Sequence, residues 1–366
     1  MNKPVKVGFV LLSNSRKPIP STRIAVLNMF PFLIAANYEP HIVFEPESGA
    51  ERPDVSGIGP RIVAEGFDIV VFQKVMGPSV EALVRELGQA GVRTVFCVCD
   101  VIDPVMAELT DATVTVTEFL KSLYPAALQH KIHVVHDGIE HPELERLPVS
   151  ARHGTRADPL RAVLVTSASL ESVPQIVSPP SWLSVSIVGR YAPGAFQRLR
   201  EARWALVLRH RGAARLQYLR FLANRRIHCL PWNAVTVYDH MRAADIGIIP
   251  VDDQAGADPA RVPSWQVKSE NRLSMKMSLG LPVVATPIPS YLPLIKQGEN
   301  GFLARNSKEW MTYLETLRDP VVRERVGREA RASVLQRYSR EEQARLLIGV
   351  LASLVRPLPG RNRAVG

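Results

Sequence analysis

Short apolar runs alternate with stretches of helical periodicity along most of the chain, and this alternation limits what it can fold into more than any single motif does. Val5–Leu12, His41–Glu45, Asp68–Gln73, Thr94–Val98, Ala112–Val116 and Ile132–His136 read as short buried strands. Between most of them apolar residues recur at three and four, notably over Ser21–Ala36 and Ser79–Ala90, as on one face of a helix. Strand and helix in turn imply a parallel, doubly wound sheet, because a parallel pair needs a crossover long enough to hold a helix. Such sheets bind ligands beyond the carboxyl ends of their strands, where the strand order reverses.

The periodicity lapses from His141 to Arg161, where Pro, Arg, Gly and Asp take over, as in a linker. Beyond it the alternation resumes, with Arg161–Thr166, Ser184–Val188, Trp204–Leu208, Ile227–Leu230, Ile246–Val251 and Pro282–Ala285 as strands. From Ser307 to about Val355 the pattern is helical, with Pro320 opening a new helix. The 366 residues exceed the size at which one core stops growing. The expected organisation is a first α/β domain over residues 1–150, a second over 151–340, and a helix and tail over 341–366, with the last helices packing across the domain junction.

The formal net charge of +10 implies attraction to phosphorylated ligands, nucleic acid or an anionic membrane surface without choosing among them. Cys97, Cys99 and Cys229 lack a second pair to complete a zinc site and read as buried thiols of a reducing compartment. The first residues lack the length and the small-residue end of a signal peptide, and no apolar run reaches the twenty residues that a membrane span needs. No G-x-G-x-x-G follows the first strand, which counts against a nicotinamide enzyme.

The densest stretch runs from Ala244 to Tyr291. A strand closed by Pro250 leads through a polar loop to a helix, which stops at Gly280 before the strand Pro282–Ala285. Lys268 and Arg272 are four apart, so they share one face of the helix start, where backbone N–H groups and the positive dipole end favour an anion such as a diphosphate.

These pieces resemble the GT-B fold glycosyltransferases, in particular the large group-1 (family four) class that uses nucleotide sugars. Ala244-Asp245-Ile246 with Pro250, Gly280-Leu281-Pro282-Val283-Val284-Ala285-Thr286, and Gln297-Gly298-Glu299-Asn300-Gly301-Phe302-Leu303 are similar, in order and spacing, to three of that family's motifs. Residues 112–121 and Lys131–Glu140 resemble its first-domain patterns, and the second half opens as the family does, with strand ends at Thr166-Ser167-Ala168 and Val188-Gly189-Arg190. The resemblance implies two Rossmann-like domains facing a cleft, the first for the acceptor and the second for the donor. It also departs from the family pattern: Val267 and Met275 stand where the family carries two glutamates.

The resemblance and the residue chemistry together nominate a site. On the donor side, Lys268, Asn271 and Arg272 would meet the diphosphate, Arg gripping two phosphate oxygens at once. Glu270 either serves the ribose or sugar or is an exposed helix-start residue; Arg190, Thr286, Ser290 and Tyr291 rank lower, and Trp232 either stacks on the base or belongs to the core. Asp100 and Asp103, at the end of the fourth strand, suit a general base for the acceptor hydroxyl, a hold on sugar hydroxyls or, equally, a cap on the next helix. His136, with Asp137, is a further proton acceptor, while Ser21, Thr22 and Arg23 form an acceptor or phosphate loop at a helix start or simply cap it.

The expected activity is transfer of a sugar from a nucleoside-diphosphate sugar to a hydroxyl of a glycan, lipid-linked or small-molecule acceptor. It is expected without metal or cofactor, in bacterial cell-surface glycan, glycolipid or natural-product glycoside synthesis. The expected place is the cytoplasm or the inner face of the membrane, to which the arginines from Arg198 to Arg226 could dock; a solvated helix face explains them as well. A homologue that only binds a glycan or partner is the alternative. A nucleic-acid-binding role lacks any accompanying motif.

Overall fold

The computed structural model describes residues 3–47, 54–148, 151–167, 173–251 and 262–355. The charged loop that follows Val251, and Ala168, lie outside them. Two compact units result, one made of Met1–Glu140, Val267–Ser269 and Tyr338–Gly366, the other of His141–Gln266 and Glu270–Arg337. The chain passes from the first unit to the second at His141, and the first unit also takes the passage Val267–Ser269 and the stretch from Tyr338 onward.

The first unit contains β1 Val5–Leu11, α1 Pro20–Ala25, α2 Phe30–Ala35, β2 Tyr38–Phe44, α3 Gly59–Ala64, β3 Ile69–Gln73, α4 Pro78–Gln89, β4 Arg93–Val98, α5 Pro104–Leu109, β5 Ala112–Thr115, α6 Glu118–Ser122 and β6 Ile132–Val134. Its six strands are parallel in the order β2-β1-β3-β4-β5-β6, so the winding direction reverses between β1 and β3. Alternation along the strands divides the core. Phe9, Val71, Val95 and Val114 pack on one face with Met29 and Leu33, while Val70, Phe72, Phe96 and Val98 pack on the other with Leu83 and Leu87.

The second unit contains β7 Leu160–Val165, α7 Pro174–Val177, β8 Leu183–Gly189, α8 Ala195–Trp204, α9 Gly212–Ala223, β9 Ile227–Pro231, α10 Val237–Arg242, β10 Ile246–Ile249, α11 Asn271–Ser278, β11 Val283–Ala285, β12 Phe302–Leu303, α12 Ser307–Thr316 and α13 Pro320–Leu335. Its parallel order β12-β11-β10-β7-β8-β9 reverses between β7 and β10. The last helix, α14 Arg340–Val355, belongs to the first unit, where Ala344, Leu347, Val350 and Leu351 complete the face that carries Phe9 and Val71.

One expected strand is absent. Trp204–Leu208 closes α8 and continues as a π-helical turn over Ala205–Arg209. An apolar pentapeptide does not show its period, and Ala205 and Leu206, which follow Trp204, favour helix.

Candidate functional site

The carboxyl edge of the first sheet gathers a charged cluster. Lys74, directly after β3, has φ +59°, a left-handed conformation that costs a side-chain-bearing residue energy. Its Nζ lies 2.5 Å from Asp100 Oδ1, and Lys268 Nζ donates to Asp100 Oδ2 at 2.9 Å. Burial alone would raise the Asp100 pKa, but the hydrogen bond from Lys74 and the charge of Lys268 outweigh it and bring it down to about 2. Beside this cluster, Ser269 Oγ donates to Asp137 Oδ2 at 2.6 Å. Gln343, from α14, accepts from the His136 backbone N–H at 2.8 Å, and the His136 ring stands edge-on to Tyr338. A cavity of about 30 Å³ is lined in part by Ser21, Gln73, Cys99, His136, Asp137 and Gln343. Burial pushes the Cys99 thiol up to about 12, so it is neutral there.

Three expectations change on this edge. Asp103 is the N-cap of α5, its carboxylate accepting from the Met106 N–H at 3.0 Å, so it serves the helix. Asp100 does not suit a general base, since a carboxylate at about 2 holds a proton too weakly to draw one from a hydroxyl. The phosphate loop is turned inward. Thr22 is fully buried, bonding Gln73 Oε1 at 2.9 Å and accepting from Ser13 Oγ, and Gln73 donates weakly to Ser21 Oγ at 3.4 Å. Arg23 grips both oxygens of Glu140, at 2.6 and 2.9 Å.

The second unit has its own carboxyl edge, and here Arg272 and Thr286 lie beside the point where the strand order reverses. The guanidinium of Arg272, in the first turn of α11, reaches Ser167 Oγ just past the end of β7 at 3.4 Å. Thr286 Oγ1, after β11, accepts from the Val251 N–H beyond β10 at 3.1 Å. Glu270 is the N-cap residue of α11 and is 1% exposed, which rules out the exposed helix-start position. Burial pushes the Tyr291 hydroxyl up to about 12, with the charge of Arg272 lowering and that of Glu270 raising it, so the three lie within electrostatic reach of one another. Ser290 Oγ is buried with no hydrogen-bond partner among the described residues. Further along the edge, Gly189 ends β8 with no room for a side chain, since a Cβ would stand 2.6 Å from the Thr166 carbonyl oxygen. Arg190 follows it, exposed, and the Trp232 N–H donates to Gly189 O, which sets a 39%-exposed indole at the end of the next strand.

Lys268 and Arg272 do not share a helix face, as their spacing suggests. The helix begins only at Asn271, so Lys268 precedes it and belongs with Asp100 in the first unit, whereas Arg272 belongs to the second. Val267 packs in the core with Val10 and Phe72, and Met275 is partly buried against Leu279 and Leu281, so the two positions that depart from the family pattern serve packing here. Lys74 was not nominated by the sequence. A left-handed φ leaves no mark in composition or period, and only its place one residue beyond a strand end marked it out.

Two doubly wound parallel sheets, each with polar residues gathered at its carboxyl edge, define the GT-B architecture. Solved structures share it. HepE of Anabaena, solved with UDP-glucose, matches with a TM-score of 0.66 and 14% identity over 95% of this chain and 99% of its own. A glycosyltransferase from Rickettsia africae matches at 0.67 and 11% over 98% and 100%. Sucrose-phosphate synthase from Thermosynechococcus elongatus matches at 0.67 and 13% over 95% and 98%. At these identities the likeness is one of fold. No protein-family model and no curated protein matches the sequence.

Proposed function

We propose that the chain transfers a sugar from a nucleoside-diphosphate sugar to a hydroxyl acceptor, with the second unit binding the donor and the first the acceptor. The observation that carries this reading is the convergence of Glu270, Arg272 and Tyr291 with Ser167 at the reversal point of the second sheet. In this reading the Arg272 guanidinium and the amino end of α11 stabilise charge as it develops on the leaving diphosphate, so no metal is needed for that step. Buried Glu270 accepts hydrogen bonds from ribose or sugar hydroxyls. Asn271, Thr286, Ser290, Arg190 and Trp232 complete the donor site.

On the first unit, Lys74 and Lys268 fix the Asp100 carboxylate as a hydrogen-bond acceptor for acceptor hydroxyls, and His136 with Asp137 stands nearest a proton-accepting role. The acceptor is a glycan or lipid-linked hydroxyl presented at the inner face of a membrane, a reading supported by the basic character of the chain. A thermal-shift series with nucleoside diphosphates tests the donor site, because a ligand that binds only the folded chain raises its Tm. At least one diphosphate should raise Tm, and Arg272→Ala should diminish the rise. A wild-type Tm indifferent to every nucleotide would sink the reading; binding without turnover of any sugar nucleotide would favour a binding protein.

A further inference from the structure

Helix α8 has ten residues and none of them is buried. Phe196 is 82% exposed, Leu199 69% and Trp204 57%, and the exposure continues through Val207 and Leu208 to Leu216, Leu219 and Leu222 on α9. A helix of this length owes its stability in water mainly to a packed apolar face, and α8 has none. Soluble surfaces rarely gather apolar residues in this density without a partner.

Charge identifies the partner. Between Ala195 and Arg226 there are nine arginines and one acid, Glu201. Beyond the end of α9 an open groove of about 620 Å³ is lined by Arg156, Arg220, Ala223, Asn224, Arg225 and Arg226, four guanidiniums with no carboxylate among them. Guanidinium groups match phosphate oxygens in a bidentate way. A second copy of the same surface would set arginines against arginines, which disfavours a symmetric dimer. Nucleic acid would use the cations but leave Leu199, Leu208, Leu216 and Leu219 in water. An anionic bilayer satisfies both sets, taking apolar side chains at the boundary between headgroup and acyl chain and the cations at its phosphates.

We propose that α8, the turn after it and α9 dock the chain on an anionic phospholipid surface, with the four-arginine groove receiving the lipid phosphate. This deepens the membrane placement of the transfer reading, but it stands on this surface alone. Among the described residues no helix is long and apolar enough to cross a membrane, so docking is peripheral.

Vesicle co-sedimentation of the full chain tests it. Vesicles containing phosphatidylglycerol should bind the protein at least tenfold more tightly than vesicles of phosphatidylcholine alone. The triple variant Phe196→Ser, Leu199→Ser, Trp204→Ser and the double variant Arg220→Glu, Arg225→Glu should each lower that binding at least tenfold. Added salt should weaken the wild type, and inorganic phosphate at matched ionic strength should compete no better than chloride if the site takes a headgroup within a bilayer. Equal binding to both vesicles, variants that bind as the wild type does, efficient competition by free phosphate, or a preference for oligonucleotides over anionic vesicles would each overturn the proposal. Circular dichroism and the nucleoside-diphosphate thermal shift, measured on the same variants, separate unfolding from loss of docking. A wild type that binds anionic vesicles but no nucleotide would leave docking standing and remove the transfer reading.

Discussion

Asp100 draws two lysines onto one carboxylate, and this decides what the residue can do. Its depressed pKa means that the folded state holds the ionised form more tightly than the unfolded chain, whose ordinary value is 3.8. The stabilisation is therefore present above that value and is lost as pH falls through it towards about 2, and the shift corresponds to about 2 kcal/mol. Asp100→Asn should lose about this much stability at neutral pH, and the gap between variant and wild type should close between pH 3.8 and about 2 in denaturant titrations. The neighbouring Lys74 has a left-handed backbone, so Lys74→Gly should be more stable than Lys74→Ala by about 1 kcal/mol, although both lose the ion pair. Arg272→Ala should weaken nucleoside-diphosphate binding by roughly 1.5–3 kcal/mol, the range for a hydrogen bond to a charged group, with Arg272→Lys intermediate because an ammonium cannot reproduce the fork. At this scale the sequence marks Glu270, Arg272 and Tyr291 through motif position. It does not mark what each carboxylate is already bonded to, which depends on residues as distant as Lys74 and Lys268.

Helix α11 shows how an element can carry a charge inside it. Lys276 is fully buried, its Nζ donating to the Arg272 carbonyl at 3.1 Å and its side chain lying against Gly247, where an added Cβ would meet it at 2.8 Å. Burial, with the Arg272 charge, brings its pKa from 10.5 down to about 7. The folded state thus binds this proton less tightly than the unfolded chain does. The cost is present in full below about 7 and is relieved as pH rises towards 10.5. Lys276→Met should raise stability below pH 7 by roughly 1–4 kcal/mol, with the advantage over the wild type shrinking as pH approaches 10.5 in Tm measurements across pH. Elements of clear period were legible: β1, β4 and α4 agree with the sequence pattern to within a residue at either end. Gly280, at φ +80°, ends α11 where the sequence places the stop. The start of α11 was not legible, because Lys268 and Ser269 are as compatible with a helix as with the irregular passage that they form. The run Trp204–Leu208 was misread because five apolar residues do not show a period, and its Ala and Leu suit the helical segment in which it sits.

Across the whole molecule, the two parallel doubly wound sheets follow from the alternation, and the fold shared with HepE and sucrose-phosphate synthase agrees with it. The return of the last helix to the first unit is a matter of packing between distant residues. Truncation after Arg337 removes Leu347, Val350 and Leu351 from the face that carries Phe9 and Val71. At about 2 kcal/mol for each buried side chain the loss approaches the whole stability of a typical domain, so the shortened chain should show a molten first unit by near-ultraviolet dichroism. The same connectivity orders events on the ribosome. Residues 1–140 emerge before the second unit, yet one face of their sheet lacks part of its cover until α14 has been translated, and α14 follows Arg337, the last residue of the second unit. The part of the protein made first is thus the last to be finished, and a chaperone that holds nascent chains should be found on the exposed face of β1 and β3.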